Sequence, residues 1–183
     1  MKTVEFFERC QNTYLSGKKL ADVSDDMATL WDTLMAQKEY IALRRISEQD
    51  DVFDMTTLRK IACRIVRELP VRGNLTTWDM VPEDDRHDWQ GQEAIQIAER
   101  YINGNATAEE LQDGYECAEW ASEQAGASFI RGLNELIKFA CAADYCELSE
   151  VFRAYIQTSE VDEPAEKLFS LINEYGNPFK KGE

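Results

Sequence analysis

Residues 107–125 read TAEELQDGYECAEWASEQA, and the reading of this stretch decides the fold class. Thr107 followed three residues later by Glu110 is a capping box, in which each side chain accepts from the other's backbone N–H. At about 100° per residue, Leu111, Gly114, Tyr115, Ala118, Ala121 and Ala125 share one side. Glu109, Asp113, Glu116 and Glu123 occupy the opposite side, with Glu119 just beside them and Trp120 in their midst. The spacing predicts a helix that turns a small-residue face inward, for close approach of a neighbour, and a carboxylate face outward.

The same period extends in both directions. Leu58, Ile61, Ala62, Ile65, Val66 and Leu69 form one helical stripe that Pro70 stops. Met27, Leu30, Trp31, Leu34 and Met35 form another, with Ser24 as the expected N-cap. Asn103-Gly104 ends a helix reaching Ile102, and Ser128 opens one carrying Ile130, Leu133, Ile137 and Ala140. Helical stretches near 3–15, 40–46, 147–158 and 163–175 complete the pattern, the last closed by Gly176-Asn177-Pro178. Strict alternation and hairpin signals are absent. Residues 70–88 read as one long irregular segment whose ends Trp78 and Trp89 anchor. The expectation is an all-α chain, a compact array of roughly eight or nine amphipathic helices in a single domain over 1–183. A sub-boundary within 70–88 would separate a charge-neutral part from an acidic one.

Charge is the second informative feature. The 183 residues carry 35 acidic and 20 basic side chains, a net charge of −15 and a pI near 4.5. Residues 1–78 balance at 12 of each sign, whereas 79–183 hold 23 acids against 8 bases. Such a balance argues against binding nucleic acid or an anionic membrane through a basic face. The most basic stretch, Arg59, Lys60, Arg64 and Arg67, is expected on the solvent side of the 58–69 helix. With 44 % hydrophobic residues the chain can bury a core. No run of about 18 apolar residues suggests a membrane span, and the charged first residues do not read as a secretory signal. Five cysteines without a Cys-x-x-Cys pair fit reduced thiols packed in a core and a cytoplasmic setting.

Catalytic chemistry has little to stand on. His87 is the single histidine, in Glu83-Asp84-Asp85-Arg86-His87-Asp88, with no nucleophile nearby in sequence, and it reads as a surface residue. The same cluster could be taken for a metal site serving a hydrolase. It lacks the glycine and alternation of a calcium loop and the paired spacing of a helical metal site. No phosphate-cradling glycine motif occurs. No catalytic residue, cofactor or metal is therefore assigned.

One stretch looks familiar. Asp84-Asp85-Arg86, Glu93-Ala94-Ile95, Ala98-Glu99-Arg100-Tyr101, Asn103-Gly104-Asn105-Ala106-Thr107 and Glu109-Glu110-Leu111 together resemble a pattern in helix-rich, mostly uncharacterised phage and bacterial proteins. Some of these are labelled immunity proteins. The resemblance spans residues 84–125 and consists largely of caps and small packing positions, so it implies the all-α fold more than a function. This chain departs from the pattern in carrying few alanines and many acids after residue 111.

Taken together, the residues predict a non-enzymatic, acidic inhibitor that occludes a basic, nucleic-acid-binding surface on another protein. A phage-encoded counter-defence protein of the anti-CRISPR or anti-restriction type is the expected setting. An immunity protein that neutralises a basic nuclease toxin would use the same physics, and a metal-dependent hydrolase built on 83–88 is the reading from a different class. The partner-binding residues expected are Glu109, Asp113, Glu116, Glu119, Trp120 and Glu123, with Glu83, Asp84, Asp85 and Asp88 beside them. Trp120 is either covered by another helix of this chain or an anchor offering cation–π contact to the partner.

Overall fold

The computed structural model describes residues 1–9, 20, 22–49, 52–80, 86–126 and 128–180. Among these residues the chain is all-α, with ten helices and one two-stranded hairpin. The chain divides into two compact units, Met1–Phe53 with Phe169–Glu183, and Asp54–Leu168. The 70–88 stretch lies inside the second unit, and the divisions fall at 53/54 and 168/169.

The first unit holds α1 (Thr3–Arg9), α2 (Met27–Ala36), α3 (Tyr40–Ser47) and the end of α10 (Pro164–Asn173). Its core is aromatic. Trp31, fully buried, meets Phe53, Phe169 and Phe179 edge-on, and Tyr40 stacks on Phe169 at 5.8 Å between ring centroids. The N-cap of α2 is Asp26 and not Ser24: its carboxylate accepts from the Thr29 N–H at 2.9 Å. An ionised cap gains from the positive end of the helix, and Ser24 instead accepts from the Asp26 N–H one turn earlier.

The second unit holds α4 (Met55–Glu68), β1 (Pro70–Arg72), β2 (Leu75–Thr76), α5 (Thr77–Met80), α6 (Arg86–Ile102), α7 (Ala108–Gln124), α8 (Ser128–Cys141), α9 (Tyr145–Thr158) and the start of α10. The hairpin and α5 replace what the sequence predicts as an irregular segment. Gly73, at φ +58°, makes the two-residue turn, and strands of three and two residues are too short to display alternation. Tertiary contacts hold the hairpin. The Tyr155 and Ser159 hydroxyls donate to the Pro70 carbonyl, and the Glu160 N–H donates to the Val71 carbonyl at 2.7 Å.

The basic face expected on α4 is corrected at Arg59 and Arg67. Arg59 is 4 % exposed, and its Nη1 donates to the carbonyls of Ala140 at 3.1 Å and Ala142 at 2.7 Å. Those carbonyls end α8, where no further helical N–H is available to them. Arg64 pairs with Glu68, and Arg67 pairs with Glu99 while lying 3.4 Å above the Trp78 ring. Arg59 and Arg67 thus tie this helix to its neighbours and Arg64 pairs within it, whereas Lys60 is exposed as expected. Cys63 and Cys141 are buried free thiols and Cys117 is half-buried, but Cys146, expected in the core, is exposed in the first turn of α9.

Candidate acidic interface on the seventh helix

Local sequence fixes where α7 starts. The Thr107 hydroxyl accepts from the Glu110 N–H at 3.1 Å, and the Glu110 carboxylate accepts from the Thr107 N–H at 2.7 Å. That hydrogen bond holds the Glu110 carboxyl below its ordinary range. Leu111, Gly114, Ala118, Ala121 and Ser122 are buried. Across the short 103–107 connection, α6 runs back along α7, so that Gly114 sits beside Ala94 and Ile97. On the other flank α8 supplies Cys141, whose thiol donates to the Ala94 carbonyl.

The opposite face carries the expected residues. Glu109, Asp113, Glu116 and Glu123 are exposed, and Trp120 among them is 40 % exposed. From Glu109 to Glu123 the row extends about 21 Å along the helix, at 1.5 Å per residue. No basic residue occurs between Arg100 and Arg131. The two flanking acids are partly neutralised: Glu110 lies 3.3 Å from Arg100, and Glu119 lies 3.9 Å from Lys138. Glu116 accepts from Gln112 Nε2 at 2.9 Å. Among the described residues, Glu109, Asp113 and Glu123 have no ion-pair partner. The negative field registers on Cys117, whose thiol is pushed up by burial first and then by Glu93, Asp113 and Glu116.

Glu93 is an addition that periodicity along α7 could not reveal. It is exposed on α6, and it joins the acidic surface only because the two helices pair back to back. Polar ties between helices hold the α7 flank in place. The Tyr115 hydroxyl donates to Glu147 at 2.6 Å, and the Ser122 hydroxyl donates to Glu135 at 2.6 Å, while within α8 Lys138 pairs with Glu135 at 2.7 Å. Burial and then the bond to Glu147 push the Tyr115 phenol up.

The second group of expected residues is not brought into this view. Glu83, Asp84 and Asp85 lie outside the described residues. Asp88, with His87, falls in the first turn of α6 and not in a loop. Among the described residues no three His, Cys, Asp or Glu side chains are grouped to hold a metal ion. Nor, among them, is any helix long and apolar enough to cross a membrane. No protein-family model, curated protein or solved structure matches this chain.

Proposed function

We propose that this protein is a non-enzymatic binding protein whose α7 face docks on a cationic surface of another protein and occludes it. The observation that carries this reading is the exposed row Glu109, Asp113, Glu116 and Glu123 with Trp120 set among them. Like charges at these spacings cost a helix a few tenths of a kcal/mol per pair, a cost that an external cation repays. A positive groove built for phosphates would accept such a row, electrostatic steering would speed its capture, and tryptophan is favoured at the centre of interfaces. A counter-defence role, of anti-CRISPR or anti-restriction type, against a nucleic-acid-handling system is the setting in which such a positive groove would be met. An immunity protein facing a basic nuclease would dock in the same way.

The test compares the parent with Asp113→Lys/Glu116→Lys as immobilised bait in host lysate, eluted by a salt gradient. The expected result is a basic protein retained by the parent, released as salt rises, and lost from the charge-reversed bait. Equal retention by both baits would overturn the reading.

A further inference from the structure

A cavity of about 300 Å³ opens inside the second unit, lined by Met55, Thr56, Arg59, Tyr101, Ile102 and Ala143. We infer that it binds a small molecule carrying one oxyanion head, a carboxylate or a phosphate, on a short apolar body. Three other arginines of this chain show how a guanidinium is satisfied. Arg64, Arg67 and Arg72 each turn the edge formed by Nε–H and Nη2–H onto a carboxylate, donating twice to Glu68, Glu99 and Glu160 respectively. This two-point contact is the strong geometry for a planar oxyanion.

Arg59, which is buried, makes no such two-point contact. Its Nη1 is spent on the Ala140 and Ala142 carbonyls, and among the described residues no hydrogen bond engages its Nε–H or Nη2–H. No described carboxylate pairs with it, although the chain has 35 acids. The described groups that act on it electrostatically are Cys63, Cys141 and Tyr101, none of them a carboxylate. Burial accordingly pushes the guanidinium down from its ordinary value. A buried cation ordinarily keeps a counter-charge, because desolvation costs several kcal/mol that neutral carbonyls offset only in part. Here the side chain that has no counter-charge among the described residues lines the cavity, and a bound anion would supply one.

The rest of the lining fits an oxyanion on an apolar body. Met55, Ile102 and Ala143 offer apolar wall, and the Tyr101 ring centroid lies 5.2 Å from the Arg59 guanidinium carbon. The carboxylates next to lining residues in sequence are committed elsewhere. Asp54 accepts from the Thr57 N–H at 2.8 Å, and Asp144 accepts from the Glu147 N–H at 2.8 Å, each capping its own helix. A volume of about 300 Å³ stands at the small end of ligand sites, which suits a body the size of one ring.

The test uses the whole chain, isotopically labelled, titrated in turn with benzoate, phenyl phosphate and neutral benzamide while amide resonances are followed. The expected result is saturable shifts centred on Tyr101 and Ala143 with one or both anions, at least about tenfold tighter than with benzamide. Which anion binds tighter distinguishes the carboxylate from the phosphate head. Two variants complete the test. Ala143→Phe, at an exposed mouth position, is expected to weaken binding at least about tenfold without moving the melting temperature. Arg59→Lys keeps the charge but loses the two-point edge, and should weaken binding likewise; if it does not fold, Ala143→Phe decides. No saturable binding of either anion, equal binding of benzamide, or undiminished binding by Ala143→Phe would each overturn the inference, leaving Arg59 as a tie to the end of α8 only.

Discussion

One substitution made at two helical glycines is expected to change stability in opposite directions. Alanine is favoured over glycine in a helix interior by about 1 kcal/mol, so Gly→Ala stabilises wherever the added methyl fits. At Gly114 in α7 an added Cβ would lie 3.4 Å from Cys141 Sγ, 3.5 Å from Ala94 Cα and 3.5 Å from Ile97 Cδ1. These are contacts of nearly ordinary length, so Gly114→Ala should gain about 0.5–1 kcal/mol. Gly132 in α8 differs, because its Cβ would stand 2.4 Å from Thr158 Oγ1, 2.8 Å from Thr158 Cγ2 and 3.1 Å from Thr158 Cβ. Rotating a β-branched side chain moves one γ atom away and brings the other round, while its Cβ stays in place. Overpacking of this kind costs about 1–3 kcal/mol against a propensity gain of about 1 kcal/mol, so Gly132→Ala should lose up to about 2 kcal/mol and gain nothing. In a Thr158→Ala background both γ atoms are gone, and Gly132→Ala should become neutral or stabilising. Urea unfolding followed by far-UV circular dichroism measures the parent and the four variants. If Gly132→Ala alone stabilises as much as Gly114→Ala, the reasoning about the α8–α9 contact is refuted.

Three further outcomes follow from the same structure. Iodoacetamide followed by mass spectrometry should label Cys146 quickly, but Cys63 and Cys141 only on unfolding, since both are buried and burial holds the Cys141 thiol up at about 12. Tyr155→Phe should cost about 0.5–1 kcal/mol in the same unfolding assay, because one hydrogen bond is lost while Ser159 still serves the Pro70 carbonyl. The Glu110 carboxyl is depressed below 4.5 by its bond from Thr107, so its support of the first turn of α7 is complete above that pH and fades as pH falls through the depressed value. Protection of the Thr107 amide against exchange, taken relative to its intrinsic rate at each pH, should therefore fall only below about pH 4.5, and Glu110→Gln should flatten that profile.

Much of the architecture is legible from period and punctuation. The capping box at Thr107, the stop at Asn103-Gly104 and the stripes of α4 and α7 are local facts, set by spacings of three and four residues. The exposure of Glu109, Asp113, Glu116 and Glu123 follows from the same arithmetic. What local reading misses is decided at long range. Arg59 falls beside polar neighbours in sequence, yet the carbonyls that hold it come from the end of a helix 81 and 83 residues away. The hairpin at 70–76 is pinned by Tyr155, Ser159 and Glu160, and its strands are too short to betray themselves. Gly114 on the inner face reads as a close-approach position, whereas the space around it admits a methyl group.

The most direct test of the proposed interface is the affinity of Trp120→Ala for the captured partner, measured beside its melting temperature. Trp120 is 40 % exposed in the middle of the carboxylate row, so the account expects binding to weaken by at least about 2 kcal/mol, roughly thirtyfold, with the melting temperature almost unmoved. Unchanged affinity together with a stability loss of about 3 kcal/mol or more would mark Trp120 as a packing residue of this chain and contradict the claim that α7 is the docking face.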